Sequence, residues 1–156
     1  MGPGEWERVR AIRLRALADA PDAFGTTLAE DEARPLVDWR RRLEDPGVAT
    51  FVAVADGRDV GLATGTAYDG EAGAAGLFSM WVAPGARRGG IGGALVGAVV
   101  GWARGAGFRR VLLDVADGNP SAVALYAGRG FLPTGVVGTL PPPRTHVAEH
   151  QRGLPL

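Results

Sequence analysis

The chain contains no cysteine, which excludes disulfides, thiolate metal sites and a cysteine nucleophile. It contains no lysine either: all 17 basic side chains are arginine. That removes the P-loop, which requires Gly-x-x-x-x-Gly-Lys-Ser/Thr. Histidine is confined to His146 and His150, too little for a His-rich metal site or a Ser-His-Asp arrangement, so no metal is expected. The 17 acidic residues cancel the 17 basic ones, and no general attraction to nucleic acid or to an anionic membrane follows. No apolar run approaches the roughly 18 residues of a membrane span. The opening Met-Gly-Pro-Gly-Glu has no apolar stretch of the signal-peptide kind. A cytoplasmic enzyme or binding domain is therefore expected.

What remains is a composition, 46% hydrophobic and 22% charged, of the ordinary globular type. A length of 156 residues suits one domain over residues 1–156. Basic charge clusters locally at Arg8/Arg10/Arg13/Arg15, at Arg40 to Arg42 and at Arg87/Arg88. The first cluster recurs at helical spacing and reads as a solvated face.

Apolar periodicity predicts a first helix over 5–20 and a second over about 34–45, with a loop at 24–28 between them. Two strand-like runs, 48–55 and 60–68, flank Asp56-Gly57-Arg58-Asp59 as a hairpin. Residues 68–76 read as a small-residue turn and 77–83 as a third strand. A glycine-rich helix follows at 90–104, with Gly93, Gly97 and Gly101 on one narrow face suited to close approach of a neighbour. Then come a buried-type strand at 109–116 and a helix opened by Asn119 as cap and Pro120 at its first position. Two further strands, 131–139 and 145–154, flank a stiff Pro141-Pro142-Pro143 crossover. Strands alternating with helices imply an α/β fold, of α+β type with a mixed sheet.

The run Arg87-Arg88-Gly89-Gly90-Ile91-Gly92-Gly93 stands between the third strand and the glycine-rich helix. Glycine lets backbone approach a ligand and take positive φ. The helix start aims unpaired N–H groups and the positive dipole end at an anion, and arginine adds charged donors. A dinucleotide fingerprint would place a third glycine where Leu95 stands. The pattern Arg87-x-x-Gly90-x-Gly92 instead resembles the pyrophosphate loop of the GNAT superfamily of acyl-CoA-dependent N-acetyltransferases. A second stretch, Asn119-Pro120-Ser121-Ala122-Val123-Ala124-Leu125-Tyr126-Ala127-Gly128-Arg129-Gly130-Phe131, resembles that family's Asn-x-x-Ala-x-x-Leu-Tyr-x-x-x-Gly-Phe at every fixed position.

The resemblance implies a GNAT-like fold, a central mixed sheet flanked by helices, and acetyl-CoA as donor. The family usually opens with a short edge strand, and with four residues before Glu5 either that strand is absent or the chain starts after it. The pyrophosphate would lie on Arg87, Arg88, Gly89, Gly90, Ile91, Gly92, Gly93 and Ala94. The pantetheine would run along Trp81, Val82 and Ala83 as an added strand, with an N–H near Val82 as oxyanion donor. Asn119 would contact coenzyme A, and Tyr126 would both contact it and protonate the departing thiolate. Asn119 also reads as a plain helix cap, and Tyr126 as a core aromatic.

For the base, the family often has a carboxylate where this chain has Ser79, which could hold a water. Asp114, five residues before Asn119, matches a second family position, and burial among Val and Leu would raise its pKa. The acceptor pocket of the fold points to Phe24, Thr26, Thr27, Trp39, Thr139 and His146, with Glu30 and Glu32 as charges that could attract an amine. The expected reaction is direct acetyl transfer to a primary amine of a small molecule. A peptide N-terminus or lysine as acceptor, and a non-catalytic acyl-CoA-binding module, are the alternatives. Dimerisation is common in the family, so a homodimer is compatible with the resemblance.

Overall fold

A computed structural model describes residues 1–156. Chain order is α1 (Trp6–Asp19), α2 (Leu28–Ala33), α3 (Leu36–Glu44), β1 (Ala49–Ala55), β2 (Arg58–Ala67), β3 (Ala74–Val82), α4 (Ile91–Gly105), β4 (Arg110–Ala116), α5 (Pro120–Gly128), β5 (Leu132–Thr139) and β6 (Ala148–Pro155). The strands form one six-stranded sheet in the order β1-β2-β3-β4-β6-β5. Every neighbouring pair is antiparallel except β3 and β4, which are parallel. A short 3-10 turn at Pro3–Glu5 precedes α1, and no strand of this chain comes before it.

Alternation along β2 builds a core on both faces of the sheet. Leu62 packs with Ile12, Ala16 and Leu17 of α1, with Phe24 and with Trp81. Ala63 faces the opposite way, into the cluster of Leu95, Val96 and Val99 of α4, Val111 and Leu113 of β4, and Phe131. The close approaches of α4 depend on glycines of the sheet. A Cβ at Gly65 would meet the Trp102 ring at 2.7 Å, and one at Gly61 would meet Leu95 at 2.9 Å. Gly97 and Gly101 have nothing within 4 Å, so the expected narrow glycine face of α4 is not an interface; only Gly93 of that row is covered, by the Arg129 guanidinium.

Two element boundaries differ from the sequence expectation. Residues 74–76, read as part of a turn, begin β3 and make its whole parallel pairing with β4: Ala74 with Arg110, Ala75 with Val111, Gly76 with Leu112. Small residues there lack an apolar signal but fit between two neighbours. The segment before α3 contains the extra helix α2, capped by Thr27.

Candidate functional site

Beyond Gly76 the two parallel strands separate, because their ladder stops after three residues. The separation opens a cleft of about 1640 Å³, walled by β3 on one side and by residues 114–119 and α5 on the other. A bulge helps to turn β3 away. Leu62 pairs with Trp81 and Thr64 with Phe78, so Ser79 and Met80 both fall opposite Ala63, and Ser79 takes a φ of 57°. Bulges of this kind re-aim a strand next to a site.

Past the bulge, the Ala83 N–H donates to the Val60 carbonyl at 2.7 Å. By the alternation of an antiparallel ladder, the N–H and carbonyl of Val82 then face the other edge, toward the cleft. The carbonyl accepts Arg87 Nε at 2.9 Å. Trp81 is buried and donates its indole N–H to Asp19 at 2.9 Å. Of the three strand residues, only Val82 therefore offers a backbone donor to the cleft.

The glycine-rich turn ends in Arg88 (φ 68°) and Gly90 (φ 83°), both left-handed. The first helical bond of α4 runs from Ala94 N–H to the Gly90 carbonyl. The N–H groups of Ile91, Gly92 and Gly93 are the unpaired donors of a helix start, at the positive end of its dipole. Arg87 is a strut: besides Val82 it holds Asp19 at 2.9 Å, tying the turn to the end of α1. Arg88 is exposed, and Arg129 lies against Gly93. Three free N–H groups between two arginines without carboxylate partners form a seat that a diphosphate fits.

Across the cleft, Asn119 caps α5 by accepting Ala122 N–H at 3.2 Å, which leaves its amide nitrogen free. Tyr126 is buried edge-on against Phe131, with ring centroids 6.0 Å apart, yet it also lines the cleft. Burial pushes its pKa up, so the hydroxyl keeps its proton across the physiological range.

Asp114 is exposed to the cleft, contrary to the expected burial, because its alternating position on β4 points it out of the core. Tyr68 donates its hydroxyl to Asp114 Oδ2 at 2.8 Å and accepts from Gln151 Nε2 at 3.1 Å. Asp114 pairs with Gln151 in the β4–β6 ladder, so Glu149, two residues along β6, shares its face. Burial raises the Glu149 pKa, the Asp114 charge raises it further, and Arg144 offsets part of the rise. Sequence reading missed Glu149, which sits in the weakest strand pattern of the chain.

Ser79 is not free to hold a water in the expected way: its hydroxyl accepts from Arg13. Arg13 belongs to the cluster read as a solvated face, yet it is buried. It lies four residues after Val9 and one after Ile12, on the stripe that α1 packs inward. Its guanidinium holds Asp31 at 2.9 Å and Thr26 at 2.9 Å, and stacks over Phe24 at 4.8 Å. Asp31 is also held by Arg34 at 2.8 Å. Desolvation alone would raise the Asp31 pKa, but the hydrogen bonds and charges of Arg34 and Arg13 outweigh it and hold the carboxyl below its ordinary range.

The remaining acceptor candidates separate. Phe24, Thr26, Thr139 and His146 line the cleft. Trp39 is buried and lines a small adjoining crevice. Thr27 and Glu30 do not line the cleft: they form a reciprocal capping box at the start of α2, the local signal Thr-x-x-Glu that the sequence displays. Arg144, in the β5–β6 connection, donates to the carbonyls of Pro21 and Gly25, tying that connection to the α1–α2 segment.

Comparison with known proteins bears on this arrangement. The profile of the acetyltransferase (GNAT) family matches residues 11–131. A mycothiol acetyltransferase from Stackebrandtia nassauensis is 32% identical over 83% of the chain, which spans 42% of that relative's length. Among solved structures, a ribosomal-protein-alanine N-acetyltransferase from Brucella melitensis superposes with a TM-score of 0.79 at 22% identity, over 100% of this chain and 97% of its own. A putative acetyltransferase from Salmonella typhimurium, crystallised with its cofactor acetyl-CoA, gives 0.77 at 17% identity, over 100% and 91%.

Proposed function

This chain belongs to the acetyltransferase (GNAT) family, whose chemistry is acetyl transfer from acetyl-CoA, and from that premise we propose that its acceptor is the primary amine of a small molecule, acetylated by direct attack. The observation that carries this reading is the cleft between β3 and β4, with unpaired α4 donors at one end and the Asp114–Glu149 pair at the other. The tie that Arg144 makes between the β5–β6 connection and the α1–α2 segment supports a small acceptor over a peptide laid along the cleft.

Acetyl-CoA, when bound, supplies an acetyl thioester. Ile91, Gly92 and Gly93 N–H with Arg88 hold its diphosphate, and Asn119 offers its free amide nitrogen. The Val82 N–H polarises the carbonyl under attack. An amine attacks only when neutral, so the ammonium proton must leave first. Glu149, whose proton affinity is raised by burial and by Asp114, takes it, directly or through a water. Asp114, fixed by Tyr68, attracts the ammonium and sets its position. Tyr126 presents its hydroxyl to the departing sulfur as a hydrogen-bond donor. Its raised pKa favours stabilising the thiolate over transferring the proton outright.

Free-thiol release from acetyl-CoA, measured across a panel of small amines and peptides, tests this directly. Small amines should release thiol; release with peptides alone overturns the small-acceptor reading, and release with neither favours a non-catalytic acyl-CoA-binding module. Tyr126→Phe should lower kcat about a hundredfold with little change in acetyl-CoA affinity; an unchanged kcat removes its role.

A further inference from the structure

The run Arg40-Arg41-Arg42 on α3 uses its charges unequally. Arg40 pairs with Glu44 at 2.9 Å and Arg41 with Asp38 at 3.7 Å, both on their own helix. Arg42 has no ion pair and no hydrogen bond to the protein, and it lines both the main cleft and the crevice beside it. Three arginines, Arg13, Arg34 and Arg42, surround a single carboxylate, Asp31. Arg13 is spent on Asp31, Thr26 and Ser79. Arg34 is spent on Asp31 and lies over the Trp39 ring at 5.7 Å. Arg42 is thus the one guanidinium of the three with its donors free.

The crevice beside Arg42 has apolar walls, Val9, Trp39, Leu43 and Leu62, and three hydroxyl-bearing residues. Thr50 and Thr64 face each other across β1 and β2 and line it together with Ser79. Both threonines are buried, at 5% and 4% exposure, and neither hydroxyl has a protein partner. The space, about 20 Å³, holds roughly one water, so a larger anionic group would sit at the mouth, on Arg42. Arg42 is exposed on the cleft wall, so its free guanidinium is open to an incoming anion and can hold it by charged hydrogen bonds. The same cleft also carries Asp114, Asp117 and Glu149. It thus presents carboxylates from β4 and β6 and, from α3, the free guanidinium of Arg42.

Resting on the acetyl-transfer reading above, we infer that the acceptor is an amino-carboxylate, with its amine at Asp114 and Glu149 and its carboxylate on Arg42. A simple amine, a diamine or an amino sugar would pair with the carboxylates and leave Arg42 without a counter-charge.

The test compares glycine, β-alanine, γ-aminobutyrate, ε-aminocaproate, leucine and phenylalanine, each with its carboxamide. Acetylation rates are measured, and the same compounds are titrated calorimetrically into protein saturated with CoA. At least one acid should exceed its amide by about tenfold or more in kcat/KM and in affinity, as a charged hydrogen bond to carboxylate warrants. That ratio should fall toward one in Arg42→Gln, recover partly in Arg42→Lys, and invert in Arg42→Glu. Acids and amides that perform alike, or a ratio untouched by Arg42→Gln, overturn the inference. Absence of turnover with every amine overturns the small-amine reading instead. The titrations then decide the carboxylate site alone, an affinity ratio near one counting against it.

Discussion

A carboxylate beside another feels its charge. Glu149 binds its proton more tightly than an ordinary glutamate because it is partly buried and because Asp114 is beside it. In the role of base proposed above, it is switched off when pH falls through its raised pKa. The acid limb of kcat/KM against pH should accordingly lie above the usual carboxylate range. Asp114→Asn removes a charge that raises this pKa, so the limb should move to lower pH. Glu149→Gln should abolish it and lower kcat/KM by about a hundredfold or more. A Glu149→Gln enzyme that retains the same limb sinks the assignment and returns the role to Asp114 or a water. The spacing of Asp114 from Asn119 made it legible in the sequence. Glu149 was not, because its relation to Asp114 exists only through the β4–β6 register.

At the scale of elements, the glycines show how one residue type serves opposite ends. Gly65 on β2 lies under the Trp102 ring, where a Cβ would approach to 2.7 Å. Gly97 and Gly101 on α4 have open space around them and contribute only the conformational cost of glycine in a helix. Gly65→Ala should therefore destabilise by about 1–3 kcal/mol through overpacking. Gly97→Ala and Gly101→Ala should each stabilise by about 0.5–1 kcal/mol. Urea midpoints at constant m-value would decide it, and a stabilising Gly65→Ala would overturn the account of how α4 docks. A helical spacing of glycines in the sequence cannot say whether anything approaches them. The matching small positions, Gly61, Ala63 and Gly65, were on the strand opposite. The α2 helix, in contrast, carried its own signal in the Thr27-x-x-Glu30 box.

Across the whole molecule, Arg13 and Asp31 tie α1 and α2 to the β3 bulge that opens the cleft. Arg13→Leu leaves Asp31 buried with Arg34 as its one remaining cationic partner, and should cost about 3–5 kcal/mol. Asp31 has a depressed pKa in the fold. Its contribution is present above the unfolded carboxyl value of about 4 and is lost as pH falls through the folded value. Asp31→Asn should thus cost more stability at neutral pH than at about pH 3, read from urea unfolding at both; equal losses would refute the ionic role. Much of this protein was settled by the sequence alone. The glycine-rich turn before α4, the Asn119 cap and Tyr126 are local patterns, in which a few consecutive residues fix both backbone geometry and chemistry, and the alternation of strands and helices follows from periodicity. Tertiary structure alone decided which arginine of α1 is buried, where β3 leaves β4, that Arg87 is a strut, and that Glu149 and Arg42 look into one cleft. Those facts depend on contacts between residues far apart in the chain, where burial and register act on side chains whose neighbours the sequence does not name.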